Sequence, residues 1–332
     1  MNDVRSALVA LALFLTIPAA TAAREVAACA LGEADAAWVD RAIAAWRHAA
    51  REITASARRT VPPRAVIFDA RCVLVGTVEG EAGAVEWRAQ VHDGSIRVEG
   101  LDELKAGVTA FATEGAGKPF VVMAAPSVWR LAAVPGGPLG LERLMIAVAV
   151  HEASHVAQFD SYMAAVTRLA KRNGLGDDFS DDTIQLRFEK NVEFAASVQA
   201  ETDLLFAAAA ATDDVEATRL ARQARALIAA RRARWFVGPD GFLTEAEDLF
   251  LTLEGSGQWV GLAWLLDARG GAATPEAARE GFATRSRWWT QKEGLALVLA
   301  VERIGGSAWR RDVFGPGKLT ALAHLDAALG SR

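Results

Sequence analysis

Three residues near the middle of the chain, His151, Glu152 and His155, have the types and spacing needed to activate water on a metal ion. They occur in the stretch AVAVHEASHVAQFD, residues 147–160. Residues four apart lie on one face of a helix, about 5–6 Å between β-carbons, so two imidazoles can converge on one ion. Glu152 then lies beside the ion, where a general base for an attacking water is needed. The predicted cofactor is Zn²⁺.

The residues around this motif predict a buried helix. Apart from the motif itself, residues 147–158 are uncharged, and apolar residues are dense on both sides of it. A buried helix does not carry two His and a Glu unless these polar groups have a partner. The alternative is an ordinary helix with hydrogen-bonded histidines. The spacing favours metal ligands, because the chain has only five histidines from which to form it by chance.

The segment VAVHEASHVAQF resembles the zincin metallopeptidases, as does the order of a strand-bearing N-terminal part before a helical C-terminal part. The resemblance implies that His151 and His155 are ligands and that Glu152 is the catalytic acid/base. It also implies a motif helix below a twisted sheet whose edge strand pairs with extended substrate. The residues after His155 are VAQFD, without the Gly and third His of one zincin subgroup. The chain is therefore similar to the gluzincins, whose third ligand is a Glu on a later helix.

The third ligand has several candidates. Glu254 lies in LFLTLEGSGQWVGLAWLL. In this segment a Glu-Gly pair is followed by a small residue and an aromatic residue. This pattern is similar to the EG-x-A-x-Y ligand helix of many gluzincins. Gly255 would allow close packing against the motif helix. Glu189, Glu193 and Glu201 lie on one i, i+4 face of a second, Ala-rich segment and remain alternatives, as ligands or as carboxylates that hold a His N–H. We expect Glu254 to be the ligand.

A gluzincin usually also has a Tyr, His or Arg that stabilises the oxyanion. The one tyrosine of the chain is Tyr162, just after the motif, and the one histidine downstream of it is His324. Arg285 and Arg287 lie next to two tryptophans. An Arg from this segment is the candidate electrophile, and a structural salt bridge is the alternative role for it.

Hydrophobic periodicity predicts an α+β fold that is mostly α, and the resemblance implies that this fold is zincin-like. A strand-bearing N-terminal part, residues 23–139, precedes a helical metal-binding part, residues 140–332, that contains the motif helix. The first part is expected to hold a helix over 34–59, strands over 65–69, 72–76 and 119–125, and a hairpin around the turn His92-Asp93-Gly94. The second part is expected to hold helices over 141–160, 181–210, 215–236, 245–269 with a break near Gly255, 275–282, 286–304 and from 319 onward.

The N-terminus predicts export. Arg5 precedes a short apolar run over residues 7–17, and Pro18 leads into small residues that suit signal peptidase. We expect residues 1–22 to be a signal peptide and the mature protein to be periplasmic or secreted. An uncleaved membrane anchor and a lipoprotein signal ending at Cys29 are the alternatives.

Two cysteines, Cys29 and Cys72, are the only ones in the chain. In an oxidising compartment they could form a disulfide. Two separate buried thiols are the alternative, and the sequence leaves both open.

Composition limits the class of function. The 332 residues are 52% hydrophobic and 23% charged with a net charge of −5, which is typical of a globular protein and argues against a nucleic-acid partner.

From the motif, the resemblance and the N-terminus together, we expect an exported zinc metallopeptidase acting on a peptide or protein substrate. The alternative is a zincin-fold binding or scaffold protein without turnover. Membrane contact is expected only if Cys29 is lipidated, and the oligomeric state is left open.

Overall fold

A computed structural model of the chain describes residues 29–55, 63–78, 84–115, 117–176 and 179–331. The fold is mixed α+β and mostly helical, which confirms the coarse class predicted from the sequence. The predicted signal peptide lies outside the described residues. In the described ranges, no helix is long and apolar enough to cross a membrane.

The main sheet has five strands in the order β3-β2-β1-β7-β6. Strands β1 and β7 pair in parallel, and the other neighbours are antiparallel. Strands β4 and β5 form a separate two-stranded sheet. The strands are β1 Arg64–Phe68, β2 Cys72–Thr77, β3 Trp87–Val91, β4 Ser95–Val98, β5 Leu101–Lys105, β6 Ala110–Gly115 and β7 Lys118–Ala124.

Helices make up most of the remaining described chain. Short π-helical segments over Ala49–Ile53, Phe159–Met163 and Arg279–Ala283 follow the ends of three of them. The helices are α1 Glu33–His48, α2 Pro126–Leu131, α3 Leu141–Val156, α4 Ala164–Asn173, α5 Thr183–Phe188, α6 Val192–Ala210, α7 Asp214–Trp235, α8 Leu243–Leu266, α9 Pro275–Ala278, α10 Trp289–Gly305, α11 Trp309–Val313 and α12 Ala321–Gly330.

Helix α3 contacts both the sheet and the helical part of the protein. It packs on α1 and on strands β6 and β7 of the sheet, and on α8. Its buried apolar residues include Leu144, Met145 and Val150. Burial of each such side chain stabilises the fold by about 1.5–3 kcal/mol. Because α3 is packed on several sides, its buried polar side chains, His151 and His155, have little freedom to move.

Three predicted features of the chain path are wrong. The turn His92-Asp93-Gly94 does not close a hairpin, because β3 pairs with β2 and β4 pairs with β5. The helix predicted over 181–210 is two helices, α5 and α6, and the side chain of Asn191 caps the second one. Helix α8 runs through Gly255 without a break.

Cys29 and Cys72 form a disulfide with their α-carbons 5.9 Å apart. The structure thus agrees with the first of the two alternatives left open by the sequence. The bond ties the chain before α1 to strand β2, and Cys29 has no free thiol in this state.

Candidate metal centre

The motif side chains occupy the C-terminal half of α3. His151 and His155 are four residues apart, and their side chains are only 4% and 7% exposed. Glu254 of α8 faces both rings and is 13% exposed. Of the described residues, these three form the one group of three or more His, Cys, Asp or Glu whose ligand atoms lie within 4.8 Å of one another.

The ligand atoms of the three residues converge, with each histidine facing a different carboxylate oxygen of Glu254. Nε2 of His151 lies 3.1 Å from Nε2 of His155. The Glu254 carboxylate oxygens lie 3.3 Å from His151 Nε2 and 3.4 Å from His155 Nε2. Zinc bonds of about 2.0–2.1 Å in a tetrahedron separate neighbouring ligand atoms by about 3.3–3.4 Å. The donor types and their spacing therefore suit a zinc ion with one further position open.

Glycines let α8 approach α3 closely enough to bring Glu254 to the histidines. A β-carbon on Gly257 would lie 2.9 Å from the ring of His151, and one on Gly261 would lie 2.9 Å from the Ala147 carbonyl oxygen. On the other side of α8, Gly255 packs backbone to backbone against Gly294 of α10. The predicted role of Gly255 in close packing is thus right, but its partner is α10 and not the motif helix.

The alternative third-ligand candidates lie elsewhere. Glu201 is fully buried and forms an ion pair with Arg231 at 2.7 Å. Glu193 forms an ion pair with Arg234 at the surface. Glu189 is exposed at the end of α5. The acidic face proposed for this segment is therefore divided between a buried ion-pair cluster and solvent.

The predicted electrophile candidates make other contacts. The hydroxyl of Tyr162 donates to the Leu319 carbonyl oxygen at 2.7 Å, and His324 Nε2 lies 2.8 Å from an Asp312 carboxylate oxygen. Arg285 donates to the Pro135 carbonyl oxygen at 2.5 Å. The Arg287 guanidinium stacks on the Trp288 ring at 4.5 Å. Tyr162, His324 and Arg285 therefore have structural partners, whereas the charge of Arg287 also acts on Asp182.

Strand β6 is the edge of the sheet nearest the motif. The Ala124 N–H donates to the Thr109 carbonyl oxygen, so Thr109 is a hydrogen-bonded position of the antiparallel pair. Hydrogen-bonded positions alternate along such a pair. The backbone N–H and C=O groups of residues 110, 112 and 114 therefore point away from β7. The Ala112 N–H accordingly donates to the Glu152 carboxylate. The outer edge of β6, which pairs with no further strand in the described part of the chain, thus borders the candidate acid/base.

Charges at the centre favour a cation. Burial raises the pKa of Glu254, but the hydrogen bonds and charges of His151 and His155 outweigh burial and hold it well below its usual range. Burial raises the pKa of Glu152, although the charges of the two imidazoles oppose it. Burial lowers the pKa of His155, but the hydrogen bond to Glu254 and its charge raise it to about 9.

Two further acids, Asp181 and Asp182, lie close enough to the centre to interact with its charges. Burial and then the charge of Glu254 raise the pKa of Asp181 to about 8, and Asp182 and Glu152 act in the same direction. Burial and the charge of Glu254 also raise the pKa of Asp182, whereas the charge of Arg287 lowers it. This acidic segment was not predicted to approach the motif, and no signal in the sequence identifies it. A divalent ion would relieve the repulsion among these carboxylates.

Zinc affinity is expected to rise about tenfold per pH unit from pH 7 to 9. The metal-free centre holds a proton on His155 in this range, and a zinc ligand must be neutral, so binding displaces that proton. The same raised pKa stabilises the metal-free fold below the ordinary pKa of 6.5, and this contribution is lost as pH rises through about 9. Competition titrations with a chromophoric chelator at several pH values measure the slope. A flat profile would contradict the assignment.

Comparisons with family models, curated proteins and solved structures find no match to this chain.

Proposed function

We propose that this protein is a zinc metallopeptidase of the gluzincin type with a zincin-like fold. The observation that carries the proposal is the convergence of ligand atoms from His151, His155 and Glu254, with Glu152 beside them. In the proposal the first three residues hold the ion and Glu152 is the acid/base. A structural site would close the fourth position with a protein ligand, and the described residues offer none there.

When bound, zinc would polarise the scissile carbonyl and make a water molecule more acidic. The Glu152 carboxylate accepts a proton from the water that attacks the carbonyl carbon. It returns that proton to the amide nitrogen as the C–N bond breaks, which yields a carboxylic acid and an amine. The raised pKa of Glu152 suits this exchange, because a group that both accepts and donates works best near the ambient pH.

The substrate in this proposal is an extended peptide. An extended chain can add to an exposed sheet edge through main-chain hydrogen bonds, and β6 offers the outward backbone groups of Ala110, Ala112 and Glu114. The Ala112 N–H donates to Glu152, so a peptide paired with the remaining outward groups of β6 would pass the candidate catalytic carboxylate. The arrangement supports a peptide and not a small molecule as substrate.

The proposal includes export of the protein from the cytoplasm. It depends on the signal-like residues 1–22, and the Cys29–Cys72 disulfide is compatible with an oxidising compartment outside the cytoplasm.

A zincin-fold binding protein without turnover is the second candidate. It is favoured by the contacts of Tyr162, His324 and Arg285, because each of these candidate electrophiles is bonded to another group of the protein. Such a protein would hold zinc and bind a peptide at β6 without cleaving it.

Digestion of a diverse peptide library by the zinc-loaded protein tests the proposal. Mass spectrometry of the new termini should show cleavage that a chelator stops and added zinc restores. Bound zinc with no cleavage would favour the binding protein. A protein that does not bind zinc would exclude the metallopeptidase.

A further inference from the structure

A buried chain of hydrogen bonds links His155 to helix α8. Gln158, three residues after His155, has no exposed surface. Its Oε1 lies 3.0 Å from His155 Nδ1, and its Nε2 donates to the Ser256 hydroxyl at 2.8 Å. Ser256 is also fully buried. The chain thus connects the end of the motif helix to the helix that carries Glu254.

The donors and acceptors of this chain have one consistent direction. The Ser256 hydroxyl donates its proton to the Leu253 carbonyl oxygen at 3.1 Å, so its lone pair is available to Gln158. The amide of Gln158 must then turn its NH₂ group to Ser256 and its oxygen to His155. That oxygen can only accept, so the proton of neutral His155 lies on Nδ1. The lone pair of Nε2 therefore points toward Glu254 and His151.

His151 differs in this respect. Its Nδ1 is buried without a hydrogen-bond partner among the described residues. The protein therefore fixes the tautomer of one histidine of the pair through a partner side chain, and that histidine is His155. Outer partners of this kind orient a ligand imidazole and affect metal affinity about 10–100-fold.

We propose that Gln158, held by Ser256, is a positioning residue that fixes His155 in the tautomer able to bind metal through Nε2. The metal-binding part of this inference rests on the proposed function. The tautomer part does not, because it concerns the metal-free protein. Gln158 acts through His155 and touches no reacting atom. Its amide also ties α3 to α8, so it keeps the two ligand-bearing helices in register.

Zinc affinity tests the first part. Gln158→Leu should raise the zinc Kd about 10–100-fold, and Gln158→Glu, which keeps an acceptor for the Nδ1 proton, should restore most of the affinity. Thr202→Val on α6 is the control, because it removes a buried hydroxyl bonded to the Val198 carbonyl oxygen, away from the centre. It should change stability without changing the zinc Kd. A folded Gln158→Leu protein with the original Kd would overturn the proposal.

The tautomer of His155 is measured separately by ¹⁵N NMR of the metal-free protein at alkaline pH. The unmodified chain should carry the His155 proton on Nδ1, and Gln158→Leu should shift a large share of it to Nε2. A proton on Nε2 in the unmodified chain would refute the positioning role. If the protein binds no zinc but shows the expected tautomers, the proposed function fails and the role of Gln158 in orienting His155 stands.

Discussion

Replacing Glu152 with Gln is expected to lower peptide hydrolysis by about 10²–10⁴-fold while zinc stays bound. Gln has nearly the same shape but cannot accept a proton from water, so the attacking water is no longer activated. The carboxylate of Glu152 is not among the three converging donors, so the ion keeps its ligands. Initial rates on a cleaved library peptide and zinc content of the same samples measure the two effects.

Glu142→Gln is the matched control for this variant. Glu142 lies in the first turn of the same helix and pairs with Arg41 and Arg130 at the surface. Its replacement should leave both rate and zinc content unchanged. Hydrolysis that persists in the Glu152→Gln protein would exclude Glu152 as the base and, with it, the proposed mechanism.

Replacing Glu254 with Ala is expected to raise the zinc Kd by more than about 100-fold, because it removes one of the three proposed protein ligands. The loss should exceed the about 10–100-fold typical of residues that only support a ligand. The fold should persist, because α8 still buries Trp259, Trp264 and Leu265. Chelator competition gives the affinity, and the thermal midpoint of the metal-free protein reports on the fold.

Glu193→Ala is the control for this change. Its carboxylate pairs with Arg234 at the surface, so its loss should leave zinc affinity unchanged and cost little stability. If Glu193→Ala empties the site and Glu254→Ala does not, the ligand assignment is reversed.

The sequence predicted the motif helix because local and global signals agree there. Its apolar positions, the i, i+4 histidines and its burial all require the same conformation. Strands β1, β2 and β7 were predicted for a similar reason, since each is a short apolar run that is buried in the sheet. The similarity of its segment to a gluzincin ligand helix favoured Glu254, which the structure places against both histidines.

Features that depend on distant partners were not predictable. Strand β6 has the sequence AFATEG, whose Ala, Glu and Gly have low strand propensity, and it is a strand because it pairs with β7. Gly255 predicts a helix break by propensity, but its close contact with Gly294 stabilises α8 as a continuous helix. Gln158 could have been found from its position one turn after His155. Its link to Ser256 required the structure.

Anomalous diffraction at the zinc edge, on crystals of the zinc-loaded protein, tests the central claim most directly. The account predicts one peak at about 2.0–2.1 Å from Nε2 of His151, from Nε2 of His155 and from a Glu254 carboxylate oxygen, with Glu152 beside it and unbound. A peak at another place, or a peak that includes Glu152 as a ligand in place of Glu254, would contradict it.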